Sequence, residues 1–271
     1  LGIAHTIKIS KDFLKDDSFL MYLGDNILKE GVVDHVKDFL DSGCEGSIML
    51  NSVDNPKEFG IAVLNDADEL EKLIEKPDDP PTNHAVIGVY MFTSEIHKAV
   101  EKLKPSKRGQ LEITDAVQWL IDNGKKVKSS FVNNWWKDTG KPEDILEANR
   151  LILDDLRSKN NGKIISSDIR GRVEIGLGSI IEDGCLIKGP AMIGKNCHLS
   201  KSYIGPYTSI GDDCNIVESE IEDSVVLNGC RLHHAGRIVD SLIGKEVMIE
   251  KNTIPPNGRR LIIGDNSEIH L

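Results

Sequence analysis

The chain has 271 residues, 39% of them hydrophobic and 28% charged, the balance of a folded globular protein and not of a disordered segment. Asp and Glu number 44 against 33 Lys and Arg, a formal net charge of −11, which disfavours nucleic acid and anionic membranes as partners. The longest apolar run, Ala85–Phe92, falls far short of the roughly 20 residues that cross a bilayer, and Leu1–Ser10 does not read as a secretory signal.

The first half alternates strand-like and helical stretches, as an α/β layer protein does. Ser18–Leu23 reads as a buried strand ending at Gly24-Asp25-Asn26. Val32–Leu40 has helical spacing and stops at Gly43. Ser47–Asn51 is a second strand, and Gly60–Leu64 and Leu70–Glu75 form a strand pair around the polar turn Asn65–Asp68. Ala85–Phe92 follows as a strand, Ile113–Ile121 as a helix closed by Asn123-Gly124, and Lys126–Val132 as a returning strand. Pro142 opens a helix running to about Lys159, a position where proline is well tolerated.

The grammar then changes. After Trp136 the only aromatic residues are Tyr203 and Tyr207, and 14 of the 24 glycines lie from Gly162 onward. Aliphatic residues recur at intervals of five or six: Ile169, Ile175, Ile181, Ile187, Ile193, Leu199, Ile204, Ile210, Ile216, Ile221, Leu227, Leu232, Ile238, Ile243 and Ile249. The residue two before each is nearly always small, as at Ser179, Cys185, Cys197, Ser202 and Cys214. That is the pattern of a left-handed parallel β-helix of hexapeptide repeats, with about 18 residues per triangular turn and the aliphatic chains stacked inside. The boundaries read from the sequence are 1–141 for the first domain, 142–163 for a connecting helix and 164–271 for the β-helix. Of the five cysteines, Cys185, Cys197, Cys214 and Cys230 fall in the repeat and read as small hydrophobes. No C-x-x-C pair occurs, so dispersed reduced thiols and a cytoplasmic location are expected.

Chemistry concentrates at strand ends of the first half. Asp25 follows an apolar strand, where open α/β sheets bind ligands, and a carboxylate there can hold Mg²⁺. A turn after a strand would use Gly-Asp-Asn equally well. Asp138, in Trp135-Trp136-Lys137-Asp138-Thr139-Gly140, is a second strand-end carboxylate that could share a metal, or a helix cap. Glu75-Lys76-Pro77 sets a cation for a phosphate beside an acceptor for sugar hydroxyls, or is a solvated charge pair. Phe59-Gly60 offers close backbone approach, or a bulge.

Taken in order, Gly24-Asp25-Asn26, Phe59-Gly60-Ile61, Glu75-Lys76-Pro77, Gly88-Val89-Tyr90, Leu111-Glu112-Ile113-Thr114-Asp115 and Trp136-Lys137-Asp138-Thr139-Gly140 resemble the sugar-1-phosphate nucleotidylyltransferases, most closely the long-form thymidylyltransferases that carry a hexapeptide-repeat tail. The resemblance runs from Gly2 into the tail, through Tyr203-Ile204-Gly205-Pro206-Tyr207 and Gly264-Asp265-Asn266-Ser267. It implies an α/β nucleotidyltransferase fold, a Rossmann-like mixed sheet, followed by the β-helix. It places metal-binding aspartates at Asp25 and Asp138 and the sugar-phosphate pair at Glu75 and Lys76, making Asp25, Lys76 and Asp138 the catalytic set. Gly60 matches a glycine whose backbone contacts the sugar, Gly2 one near the nucleoside, and Asn26 a substrate-binding neighbour of the first metal aspartate.

The implied reaction joins a nucleoside triphosphate, dTTP or UTP, to a sugar 1-phosphate, chiefly glucose 1-phosphate, with Mg²⁺ as cofactor, in a homo-oligomer that binds neither nucleic acid nor membrane. His5 and Gln110 depart from the family, which often has Gln and Glu there. Its Gly-rich phosphate loop with Arg and Lys is not found, so an N-terminally truncated domain is expected, inactive on its own. The alternatives are an acyltransferase working through the β-helix, alone or beside nucleotidyl transfer, and an inactive regulatory or scaffold relative. His198, His233 and His234 are the candidate bases of such a tail, and no acid neighbour is expected for the last two.

Overall fold

The computed structural model describes residues 1–251 and separates into two compact units, Leu1–Gly140 and the segment from Lys141 onward. The first unit holds helices α1 (Ile3–Ile9), α2 (Lys11–Leu14), α3 (Val33–Ser42), α4 (Ile96–Lys102) and α5 (Ile113–Asp122). Its strands are β1 (Phe19–Tyr22), β2 (Asn26–Leu28), β3 (Gly46–Ser52), β4 (Gly60–Leu64), β5 (Leu70–Glu75), β6 (His84–Phe92), β7 (Val127–Phe131) and β8 (Trp136–Asp138). The main sheet runs β5-β4-β6-β3-β7, and β1 also pairs with β6. Only β3 and β7 are parallel, so the sheet is mixed.

β6 is apolar throughout because both of its faces are covered. Val86, Tyr90 and Phe92 pack with Ala4, Ile96, Val117 and Leu120 of the helices, whereas Ile87, Val89 and Met91 pack with Leu28, Phe39 and Met49. One edge of β6 pairs with β3 at His84–Val86 and again at Tyr90–Phe92, with a register shift between, while the other is shared by β4, at Ala85, and β1, at Val89–Phe92. Around Gly88 neither neighbour completes the ladder, and the candidate site is built at this gap. The sequence reading does not find α1, α4, β2 or β8; β2 and β8 span three residues each, too short to carry a period.

The second unit begins with α6 (Pro142–Asp154). It ends short of Lys159 because Lys159–Asn160 already pair with Glu174–Ile175 as a first rung of the tail. The tail is a parallel β-solenoid of about five turns, consistent with the expected left-handed β-helix. Its aliphatic residues stack in three in-register columns. One is Ile164, Ile181, Leu199, Ile216, Leu232 and Ile249. A second is Ile169, Ile187, Ile204, Ile221 and Ile238. The third is Ile175, Ile193, Ile210, Val226 and Ile243.

The third column corrects the expected repeat. Val226 points inward and Leu227 is 37% exposed, because the five-residue step falls before this position and not after it. The shift also restores the small residue two before the aliphatic, since Ser224 is fully buried.

The small positions have a hydrogen-bonding reason. Ser179 Oγ donates to Gly194 O (2.7 Å), Cys197 Sγ to Gly211 O (3.1 Å), Cys214 Sγ to Leu227 O (3.3 Å) and Cys230 Sγ to Gly244 O (3.0 Å). Each side chain thereby satisfies a carbonyl of the following turn. α6 docks on the solenoid through Arg150, whose Nε and Nη2 donate to Asp223 (2.7 and 2.6 Å) and whose Nη2 also reaches Asp240 (2.8 Å). Asn149 adds a bond from Nδ2 to Tyr207 O (2.8 Å) and accepts one from Ser209 Oγ (2.6 Å). His234 does have an acid neighbour, contrary to expectation: its Nδ1 lies 3.0 Å from Glu218, the residue at the register shift between Val217 and Ser219.

Because Ile204 is fully buried in its column, Ile204→Ala should cost about 2–5 kcal/mol, the usual loss for a cavity in a packed core. A lowered denaturation midpoint checks this, and an unchanged one would show that the stack tolerates a hole.

Candidate active site

After Tyr22 the chain leaves β6 with a last bond from Leu23 N to Gly88 O (2.8 Å) and turns through Gly24 and Asp25. It returns as β2, which pairs antiparallel with β8 in the register Asn26↔Asp138, Ile27↔Lys137 and Leu28↔Trp136. Thr139 extends the pairing, its N and Oγ1 both donating to Asp25 O (2.7 and 2.8 Å). Directly opposed residues carry Cβ atoms about 4.5–5.5 Å apart, so Asp138 stands beside Asn26, the chain neighbour of Asp25. The pairing thus brings Asp138 opposite the residue that follows Asp25, across more than a hundred residues of chain. Asp25 is exposed and Asp138 half-buried, and Asp138 Oδ1 accepts from Gly140 N (3.1 Å).

Glu75, Gly60 and Lys76 form a second cluster. Gly60 opposes Glu75 across the β4–β5 ladder. Glu75 Oε1 accepts from Arg108 Nη1 (3.0 Å), and its Oε2 accepts from Thr114 Oγ1 (3.0 Å), in the first turn of α5. Arg108 also lies 3.5 Å from the buried Glu112, which accepts from Ser106 Oγ (2.8 Å). Burial pushes the Glu75 carboxyl above its usual range, an effect opposed by the Thr114 bond, reinforced by Glu112, and opposed again by Arg108 and Lys76. A raised folded-state pKa means that ionised Glu75 weakens the fold above that pKa, and that the penalty is relieved as the pH falls through it.

Lys76 sits in the left-handed region at φ 40°, with its N bonded to Phe59 O (3.1 Å). Its ammonium is exposed, with no hydrogen bond or ion pair among the described residues. The Phe59 ring meets Trp136 edge-on, with centroids 5.7 Å apart, so the Lys76 segment and β8 are in contact. At φ 89°, Gly2 lies against the segment entering α5, where a Cβ would come within 2.4 Å of Leu111 O.

Arg108 and Thr114, which hold both oxygens of Glu75, carry no role in the sequence reading. Their link is an ion pair and a hydrogen bond across 33 and 39 residues, which no local pattern encodes. At Gly60 a Cβ would lie 2.6 Å from Thr114 Cγ2 and 3.2 Å from Glu75 Oε2. Gly60→Ala should therefore push Glu75 out of place, raising KM for the sugar phosphate several-fold while leaving KM for the nucleotide unchanged. Equal effects on both substrates would contradict this.

Residues 1–155 match the model of the nucleotidyl transferase family. The low-salt glycan biosynthesis nucleotidyltransferase Agl11 of Haloferax volcanii is 48% identical, over all of this chain and 77% of its own length. A glucose-1-phosphate thymidylyltransferase of Streptomyces griseus is 42% identical, over all of this chain and 76% of its own length. The bifunctional protein GlmU of Methanocaldococcus jannaschii is 35% identical, over 95% of this chain and 62% of its own length. Among solved structures, a Bacillus anthracis chain described as a glucose-1-phosphate thymidylyltransferase in complex with a sucrose aligns at a TM-score of 0.52 and 32% identity, over 59% of this chain and 63% of that one. With the family model covering more than half of its length and two relatives matching all of it, the chain belongs to the nucleotidyl transferase family of enzymes.

Proposed function

We propose that the chain acts as a sugar-1-phosphate nucleotidylyltransferase, joining dTTP or UTP to glucose 1-phosphate with release of pyrophosphate. The observation that carries this reading is the β2–β8 ladder, which sets Asp138 opposite Asn26, the residue after Asp25, with Phe59, whose carbonyl accepts from Lys76 N, against Trp136 of β8. A phosphate oxygen of the sugar 1-phosphate attacks the α-phosphorus as the bond to pyrophosphate breaks in line. The attacking group is already anionic, so no general base is needed, and catalysis is positioning and charge neutralisation.

Lys76 meets the sugar phosphate with its unpaired ammonium. Glu75 has acceptor sites left for a sugar hydroxyl after Arg108 and Thr114 are satisfied. Gly60 admits the sugar to the backbone and Gly2 stands near the nucleoside. The donor set fits Mg²⁺, which takes one or two protein carboxylates together with phosphate oxygens, and no group of three metal-ligating side chains occurs among the described residues. Held by Asp25 and Asp138, Mg²⁺ supplies neutralisation of the phosphate charge.

The solenoid serves self-association, and the five free thiols fit a reducing cytoplasm. Two pairs favour a second reading, acyl transfer by the tail: His198–Glu182 (2.8 Å) and His234–Glu218 (3.0 Å). Acetyl transfer to an amino-sugar phosphate that is lost in His234→Ala would establish it. The main reading is tested with the full-length protein, dTTP or UTP, and glucose 1-phosphate. Sugar-dependent pyrophosphate release with formation of the nucleotide sugar is expected, and no release with either nucleotide would sink the proposal. In solution the full-length protein should have the mass of more than one chain; a monomer would remove the role given to the tail.

A further inference from the structure

We infer that Glu112 is a positioning residue for sugar recognition, which acts through Arg108 on the Glu75 carboxylate and touches no substrate itself. The inference deepens the proposed function and rests on it. Glu112 is only 5% exposed and stands at the N-cap of α5, yet its side chain makes no capping bond. Its carboxylate bonds to the preceding loop instead. Ser106 Oγ donates to Glu112 Oε1 (2.8 Å) and accepts from Arg108 N (3.1 Å), so one hydroxyl fixes both the acid and the backbone that carries the arginine. The loop closes through Ser106 N to Gln110 O (2.7 Å) and Gly109 N to Ser106 O (2.9 Å), with Gly109 in the left-handed region at φ 72°.

Arg108 Nη1 stands between two carboxylates, 3.0 Å from Glu75 Oε1 and 3.5 Å from Glu112 Oε1. The Arg108 side chain is 42% exposed, and an ion pair made by so open a group to Glu75 alone would hold it loosely. The Glu112 side chain is 7% exposed, and a charge that deep is costly unless a cation stays beside it. Glu112 therefore anchors the guanidinium, and the anchored guanidinium sets Glu75 Oε1. Thr114, in the first turn of the same helix, sets Oε2. Both oxygens of Glu75 are thus oriented by one segment, Ser106–Thr114, in which Glu112 is the buried fixed point.

The test is a double-mutant cycle in the full-length protein between Glu112→Gln and Glu75→Gln, read as KM for glucose 1-phosphate, KM for the nucleotide and kcat. Glutamine at 112 keeps the size and an oxygen for Ser106 Oγ, and deletes only the charge that holds Arg108. Glu112→Gln alone should raise KM for glucose 1-phosphate by about 3–10-fold, within the range in which contacting residues couple, and leave KM for the nucleotide and kcat within about twofold. In the Glu75→Gln background the same change should add less than about twofold, because the group it acts on is already altered. Should Glu112→Gln unfold, Ser106→Ala leaves the acid in place and removes the bond that fixes it, and the same loss, cancelled by Glu75→Gln, is expected there. A full effect that persists beside Glu75→Gln, or an unchanged KM for glucose 1-phosphate in a folded variant, would overturn the inference and leave the proposed function intact. A wild-type protein without nucleotidyl transfer would overturn both.

Discussion

Asp25→Asn and Asp138→Asn, each in the full-length protein, should lower turnover by about 10²–10³-fold or more, the range lost when one preorganised electrostatic partner of a transition state is removed. Each change is isosteric and deletes one negative charge from the proposed metal site, which would hold a divalent cation against a triphosphate. The fold should survive, because Asp25 is exposed and the bonds from Thr139 use its backbone carbonyl, not its side chain. Asparagine at 138 keeps an oxygen to accept from Gly140 N. Turnover at saturating Mg²⁺ and the thermal midpoint together check this. Near wild-type rates in either variant would remove that aspartate from the site.

Lys76→Ala should raise KM for the sugar 1-phosphate by roughly 10–100-fold, since a charge-assisted bond of about 1.5–3 kcal/mol is lost. Its ammonium makes no ion pair among the described residues, so the loss falls on the substrate and not on the fold. Glu75→Ala should act differently, changing the preference among sugars and also freeing Arg108 and Thr114, which both bond to the deleted carboxylate. Glu75→Gln removes a buried charge whose pKa is raised by burial, so its thermal midpoint should match or exceed that of wild type at neutral pH. Steady-state kinetics with both substrates varied decides the roles. If Lys76→Ala raised only the nucleotide requirement, the assignment of the phosphate would be wrong.

The second unit was almost wholly legible because one physical rule repeats along it: an aliphatic residue inside and a small donor two before it. Within the repeat the spacing slipped at Leu227, where a five-residue step placed one position early moved the inward residue to Val226; the end of α6 and the acid beside His234 were also missed. In the first unit the strands with apolar runs, such as Gly60–Leu64 and Leu70–Glu75, were placed to the residue. β2 and β8 were not, because three-residue strands have no period and pair across 110 positions or so of chain, as Asn26 does with Asp138. The identities Asp25, Glu75, Lys76 and Asp138 could be read from motifs. What joins them could not, because Arg108 and Thr114 act through contacts between segments remote in sequence.

The most direct test of the central claim is the stereochemical course at phosphorus. The full-length protein is given one diastereomer of dTTP carrying sulfur at the α-phosphorus together with glucose 1-phosphate, and the configuration of the nucleotide sugar is read by phosphorus NMR. A single in-line displacement by the sugar phosphate, with Asp25, Asp138 and Lys76 only positioning and neutralising charge, gives inversion. Retention would mean two displacements through a nucleotidyl-enzyme intermediate, and would contradict the mechanism proposed for this site.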